Sequence, residues 1–587
     1  MKLSFVNCVV VLSLSVASAQ PVGDVLEKAR VKIDALSAKL SKANGTEDIR
    51  VDAEIYLKAG QWLLRHPEEF YKPEYSAQLL SVLDRGLARA AELEAGSPTW
   101  PKQKGRFSRA YRSRVDGSVQ PYGMIIPENY DPAIPTRLDV VLHGRAAQMN
   151  EVSFLFGHDS PKPPRVDQNH LVLEVFGRTN NAYRWAGETD VFEALESVRK
   201  RYNIDPNRIV LRGFSMGGAG TWHIGLHYPD QWAAIEAGAG FAETKIYAKL
   251  PADTPEYQLR TLHIYDAADY AENAANVPTV GYGGEIDPQL KASQLIQQGI
   301  AGLQNIKALF LVGPQTGHKW HPESLKQSDE FLNAAVKAGR QTPDRIHFIT
   351  YTARYNRCFW LTVDALDRHY ERAEVDGTRD ELKTRNVAAL TLDREESPTI
   401  DGQKPGRGKS FIKDNGKWRT GTWKGLRKRH GLQGPIDDAF LDSFVAVDAP
   451  EKVRAEWAKW MRADLPTASS PQKGKAVVLF GDPQTNPAIK KINEKLPVRW
   501  SGEDIIVAEQ RFPARDHTLA MIYPNPQDPE HYVVLNSGLT FGEREFKGTN
   551  ALLYPRLGDY AVIRKSDGKV MVAGIFDEQW RLAPEKR

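Results

Sequence analysis

Gly213-Phe214-Ser215-Met216-Gly217-Gly218 places a serine between small residues in a G-x-S-x-G pattern. An apolar run, 209–211, precedes it, and a helix-forming run, 220–226, follows it. A strand, a tight turn and a helix in that order thrust the serine Oγ clear of a sheet and aim a helix N-terminus at developing negative charge. A serine hydroxyl becomes a useful nucleophile only beside a base, and the base needs an orienting carboxylate. The chain offers both downstream. Asp287 lies in Gly284-Glu285-Ile286-Asp287, just after an expected strand at 279–282, with Glu285 as the competing carboxylate. His318 lies in Gly317-His318-Lys319-Trp320, after an expected strand ending at Val312. His321 comes one helical turn later and reads as a loop or surface residue. Two backbone N–H groups are expected to hold an oxyanion: Met216, after the serine, and Arg145, in Leu142-His143-Gly144-Arg145 at the end of an early strand. His143 reads as a residue that shapes this loop. Arg184 and Trp185, in the loop after the strand at 171–176, are expected substrate contacts.

These groups need a scaffold. Strand-like runs at 122–127, 138–142, 171–176, 209–212, 262–265, 279–282 and 308–312 alternate with helical patterns such as 190–202, where Asp190 and Glu193 resemble a capping box. Such alternation predicts a mostly parallel, doubly wound α/β sheet over residues 105–340. Upstream, apolar residues at helical spacing predict a helical module over 22–98. Downstream, glycine-punctuated short segments predict a mixed, β-rich accessory region, divided into 341–460 and a mixed α/β part, 461–587.

The motif set resembles the α/β-hydrolase superfamily. Within it, the resemblance is to the branch holding feruloyl-esterase-like and polyhydroxyalkanoate-depolymerase-like esterases and the prolyl oligopeptidase (peptidase S9) catalytic domain. Gln120-Pro121-Tyr122, His143-Gly144-Arg145, Asp205-Pro206-Asn207-Arg208 and the segment around Ser215 carry it, completed by Asp287 and His318. The resemblance implies a serine hydrolase working through an acyl-enzyme without metal or organic cofactor. Two departures stand out. Arg145 occupies a place where lipase-like members often carry a second glycine. A helical segment stands before the α/β domain, where full-length members of the peptidase branch usually carry a β-propeller. Three readings stay open: a carboxylesterase acting on small or polymeric esters, a prolyl-oligopeptidase-type peptidase, and a non-catalytic binding protein on a hydrolase scaffold.

Composition narrows the remainder. Of 587 residues, 41% are hydrophobic and 26% charged, with a net charge of +4, so nothing global points to nucleic acid. Lys2, an apolar stretch over 5–16 and Ala17-Ser18-Ala19 read as a cleaved signal peptide, 1–19, and predict a periplasmic or secreted protein without a transmembrane segment. With Cys8 in that leader, Cys358 would remain as a lone thiol, expected to be buried and inert. The glycine-rich run 402–410 has five residues between Gly402 and Gly408-Lys409, one more than a phosphate loop requires. The basic run 404–430, with Trp418 and Trp423, reads as a solvated face with capacity for an anionic glycan or the cell envelope. Asp437 and Asp438 cannot by themselves furnish the oxygen ligands of a cation site.

Overall fold

The structure, a computed structural model, describes residues 23–160 and 169–583. The expected leader at 1–19 lies outside the described residues. The chain divides into two compact units. The first comprises the chain up to Lys102 together with Gln148–Ser160; the second comprises Gln103–Ala147 and everything from Pro161 onward.

The first unit is built from α1 (Gly23–Leu40), α2 (Glu47–Arg65), α3 (Glu74–Glu94) and α4 (Glu151–Asp159). Val51, Ile55, Tyr56, Trp62 and Leu63 of α2 and Leu79, Val82, Leu83 and Leu93 of α3 are buried, each set recurring at helical spacing. Polar bonds close the bundle. Arg89 donates to the Asp52 carbonyl at 2.8 Å, and the Trp100 indole N–H donates to the Asp52 carboxylate at 3.0 Å. Tyr56 donates to Asp159 at 2.7 Å, tying in α4. The helical module expected over 22–98 therefore takes in a segment drawn from within the span expected to be wholly α/β.

The second unit holds an eight-stranded sheet. Its strands are β1 (Gly105–Arg112), β2 (Val119–Ile126), β3 (Thr136–Leu142), β4 (Leu171–Val175), β5 (Ile204–Phe214), β6 (Ala234–Gly238), β7 (Thr279–Gly284) and β8 (Ala308–Gly313), in the spatial order β1-β2-β4-β3-β5-β6-β7-β8. The β1–β2 and β2–β4 pairs are antiparallel, and every pair from β4 onward is parallel. Central strands run as continuous apolar segments because both faces are covered: Ile209, Val210 and Leu211 of β5 are all inaccessible to solvent. The helix after β5, Met216–His227, is buried along its whole length and so carries no amphipathic stripe.

Three sequence expectations are corrected here. Residues 262–265 are not a strand. They form a turn of 3-10 helix, Leu262–Ile264, and the strand in that part of the sheet is β6. Its sequence, Ala-Ile-Glu-Ala-Gly, is mostly small, and its buried Glu236 is neutralised by Arg212 at 2.6 Å. Asp190 and Glu193 do not form a capping box, because the helix begins four residues earlier, at Ala186. Asp190 instead faces inward and pairs with the buried Arg178, which also pairs with Asp116. Finally, no boundary falls at 460. Phe444–Val447 pairs in parallel with Ala476–Leu479 inside one seven-stranded sheet, so the division lies between Thr420 and Phe444.

Before that division, a four-stranded and a five-stranded sheet enclose a core of Ile346, Phe348, Trp360, Val363, Leu390 and Phe411. Cys358 is buried there, and burial pushes its thiol pKa well up. After it, the seven-stranded sheet shares a continuous apolar core with the α/β domain, from Trp185 and Trp222 to Leu535 and Phe541. The run at 402–410 leads into the strand Gly408–Asp414. Six of the basic residues between 404 and 430 are exposed: Lys404, Arg407, Lys409, Lys417, Arg419 and Lys424. Lys428 is not part of that face; it is fully buried and paired with Asp559 at 2.6 Å. Asp437 and Asp438 serve as hydrogen-bond acceptors for Thr540 and Tyr532. No helix among the described residues is long and apolar enough to cross a membrane.

Candidate active site

Ser215 occupies the turn between β5 and the helix Met216–His227, with φ +61° and ψ −121°. A non-glycine residue held there carries backbone strain, which the surrounding sheet must sustain. Its N–H donates to the Gly238 carbonyl of β6 at 2.8 Å, and its carbonyl accepts from Ala219 at 3.0 Å. Glycine is sterically required beside it. A Cβ on Gly213 would overlap the Gly217 carbonyl, and one on Gly217 would overlap the carbonyl of Leu142, the last residue of β3.

The turn after β7 supplies Asp287 and the turn after β8 supplies His318. His318 Nε2 lies 2.8 Å from Ser215 Oγ, and His318 Nδ1 lies 2.8 Å from Asp287 Oδ2. With Nδ1 protonated toward the carboxylate, Nε2 is the free acceptor for the serine proton. The Asp287 side chain is 2% exposed, and its other oxygen accepts the Gln289 N–H at 3.0 Å. The His318 side chain is 43% exposed, open to an incoming substrate. Its ring packs beside Phe214, with centroids 4.9 Å apart, and Phe214 neighbours Trp320, which stacks on Tyr282.

The competing groups are placed elsewhere. Glu285 accepts the Gln315 N–H at 2.7 Å and so braces the loop that carries His318. His321 caps the helix Pro322–Ala338, and its backbone N–H donates to the Tyr282 hydroxyl at 2.8 Å.

Met216 is the first residue of its helix, so its N–H has no intrahelical acceptor and points out of the N-terminus. On the other side, Gly144 packs near Ser215: a Cβ there would sit 3.6 Å from the serine Cβ. His143 spans the loop, its Nδ1 2.8 Å from the Gly144 carbonyl and its Nε2 3.0 Å from the Phe176 carbonyl. Since a trans peptide sets its N–H opposite its carbonyl, a contact that fixes the Gly144 carbonyl also fixes the direction of the Arg145 N–H. The Arg145 side chain is exposed.

Arg184 and Trp185 are not substrate contacts, which corrects the sequence expectation. Trp185 is fully buried, its ring 5.2 Å from Phe541 and 5.8 Å from Phe546. Arg184 is 2% exposed; it donates to the Ala551 carbonyl at 2.9 Å and lies over the rings of Phe241 and Tyr265. Both residues join the α/β domain to the C-terminal sheet. Sequence reasoning also missed Tyr247, an exposed ring stacked on Phe241 and close enough to Arg145 and Asp287 to feel their charges. Only its fold placement reveals it, since the loop after β6 has no motif.

Residues 180–335 match the sequence model of the prolyl oligopeptidase family, Peptidase S9. No curated protein matches the chain. Among solved structures, a thermostable esterase aligns at 18% identity and a TM-score of 0.30, over 40% of this chain and 63% of that one. A ferulic acid esterase aligns at 17% and 0.30, over 40% of this chain and 99% of that one. The acylaminoacyl peptidase of Pyrococcus horikoshii aligns at 16% and 0.31, over 41% of this chain and 43% of that one. This chain thus spans less than two thirds of the thermostable esterase. The mostly parallel eight-stranded sheet, with its serine on the turn after β5, has the architecture of an α/β-hydrolase, and within it residues 180–335 are similar to the prolyl oligopeptidase family, Peptidase S9.

Proposed function

We propose that this protein cleaves carboxylic esters through an acyl-enzyme on Ser215. The observation that carries the reading is the unbroken hydrogen-bonded line from Ser215 Oγ through His318 to Asp287. In the first step His318 Nε2 takes the Ser215 proton while Oγ attacks the ester carbonyl. The Met216 and Arg145 N–H groups receive the oxyanion, and the buried Asp287 carboxylate stabilises the imidazolium. Collapse of the tetrahedral intermediate breaks the C–O bond, and His318 returns the proton to the departing alcohol. Water, activated by the same nitrogen, then releases the acid and regenerates Ser215.

A peptidase is the second reading, and the match of residues 180–335 to the prolyl oligopeptidase family favours it. The described segment next before the catalytic domain is helical, α1 to α3. The deciding experiment is a panel of aryl esters, feruloyl esters and prolyl amides, run alongside labelling by a fluorophosphonate probe. Labelling of the wild type and not of Ser215→Ala, with turnover of esters, is the expected result. Turnover of amides alone would transfer the assignment to the peptidase, and a wild type that takes no label would leave a binding protein.

The same proposal includes export to the periplasm or beyond, resting on the leader-like residues 1–19, which N-terminal sequencing of the mature protein tests. Contact with an anionic glycan or the envelope through the exposed lysines and arginines of 404–424 is proposed on their charge. Loss of retention on a sulfated-polysaccharide column after their replacement by glutamine tests it.

A further inference from the structure

The loop after β4 is under unusual backbone constraint. Arg178, Thr179, Ala182, Tyr183 and Trp185 all have positive φ, between 43° and 81°. None is glycine, so each costs energy that surrounding contacts must offset, and such clusters persist where a site depends on them. The contacts come from two directions. Within the domain, Arg178 pairs with Asp116 and Asp190, and Asn181 bonds the Gly177 carbonyl at 2.7 Å. From the C-terminal domain, two consecutive residues reach in. Asn550 Nδ2 donates to the Asn180 carbonyl at 2.7 Å, and the Ala551 carbonyl accepts from Arg184 at 2.9 Å.

The held loop in turn grips the loop after β3. The Asn180 side chain accepts the Ala146 N–H at 2.8 Å and donates to the Ala146 carbonyl at 2.9 Å. This paired contact fixes the peptide groups on both sides of Ala146. His143 fixes the Gly144 carbonyl from the other side. The Arg145 N–H therefore belongs to a peptide that His143 anchors, and the two peptides that follow it are anchored by Asn180. The second anchor comes from Asn180, and Asn180 is itself held by Asn550.

We propose that the C-terminal domain completes the active site: Asn550 and Asn180 are positioning residues that orient the Arg145 N–H for the oxyanion. The inference rests on the serine-hydrolase reading with Arg145 as an oxyanion donor. It gives the C-terminal domain a role in turnover beyond packing, because the buried Asn550 meets the loop by a directed hydrogen bond.

The test uses the full chain and a p-nitrophenyl ester, with an arylboronic acid as a mimic of the tetrahedral intermediate. Losing one oxyanion donor costs about 100- to 1000-fold in kcat, and a donor misplaced but present costs less, so Asn180→Ala is expected to lower kcat/KM by ~10- to 100-fold. The boronic acid should weaken by a matching factor, a correspondence that a merely structural residue would not produce. Asn550→Ala should show the same correspondence with a smaller loss. Asn180→Asp, which keeps the acceptor for Ala146 N–H and loses the donor, should recover part of it. Wild-type kcat/KM and wild-type boronate affinity in both alanine variants would overturn the proposal, as would a loss of turnover with boronate affinity unchanged. Should Asn180→Ala not fold, Asn550→Ala decides alone. Failure of the underlying reading is separately visible: Ser215→Ala would then turn over the ester as fast as the wild type.

Discussion

Asp287 and Glu285 stand two residues apart in one turn, yet only Asp287 reaches the histidine: its Oδ2 lies 2.8 Å from His318 Nδ1, while Glu285 accepts the Gln315 N–H at 2.7 Å. The two carboxylates thus have different work, one orienting the base and the other bracing the loop that carries it. Asp287→Asn removes the charge that stabilises the imidazolium and permits the wrong ring tautomer, a change expected to lower kcat by about 10⁴-fold. Glu285→Gln keeps an acceptor for Gln315 and should cost about 1 kcal/mol or less of stability, with little change in kcat. Steady-state kinetics on the pair checks this; a larger kinetic loss in Glu285→Gln would reassign the orienting acid.

The same comparison holds for the histidines. His318→Ala removes the group 2.8 Å from Ser215 Oγ and should leave only the ~10³- to 10⁴-fold rate advantage over water that binding and the oxyanion hole supply. His321→Ala keeps the backbone N–H that bonds Tyr282 and should retain turnover. Equal loss in both variants would show that the His321 ring is needed for turnover as much as the ring at 318.

At the elbow, steric room is the controlling quantity. A Cβ on Gly217 would overlap the Leu142 carbonyl and press on the His143 carbonyl, at the start of the loop that carries Arg145. Gly217→Ala should therefore lower both stability and kcat, the first because backbone must move in a packed interior, the second because that backbone carries the proposed oxyanion donor. Thermal unfolding together with kinetics tests it, and an unchanged melting temperature would mean that the turn relaxes more freely than its packing implies.

How much of this was legible in the sequence depended on range. Ser215, its flanking glycines and the strand and helix on either side are specified by neighbours in the chain, and local chemistry announces them. Asp287 and His318 follow strands whose apolar character is plain. By contrast, β6 escaped notice because Ala234, Ala237 and Gly238 are small and its charged residue is neutralised by Arg212, on a different strand. Trp185 read as a substrate contact because an aromatic in a loop beside a serine site invites that reading, and what buries it, Phe541 and Phe546, lies far along the chain. The Asn180–Asn550 bond spans 370 positions, and no spacing rule reaches that far.

The burial of Trp185 carries its own prediction. Trp185→Ala removes a fully enclosed ring at the junction with the C-terminal sheet and should destabilise the protein by about 3–5 kcal/mol. Because the indole does not meet solvent, KM for a small ester should stay near the wild-type value. Denaturant unfolding and steady-state kinetics separate the two effects; a raised KM at unchanged stability would return Trp185 to the substrate pocket.

Glu193 gives a prediction in pH. Its side chain is almost wholly buried, one oxygen accepts the Arg114 N–H at 2.8 Å, and burial, aided by the nearby Asp190 charge, pushes its pKa up from 4.5 to about 7. The folded protein thus keeps a proton that the unfolded chain has already released. Folding binds protons through this group, so its contribution to stability falls as pH rises from about 4.5 to about 7 and is level above that. The full excursion corresponds to ~3 kcal/mol as an upper bound. Glu193→Gln keeps the acceptor for Arg114 and carries no charge at any pH. It should match the wild type near pH 4, where both side chains are neutral, and exceed it near pH 8, where the wild-type carboxylate is ionised. Chemical denaturation at the two pH values measures the gap directly, and a gap of equal size at both would show that some other group governs the decline.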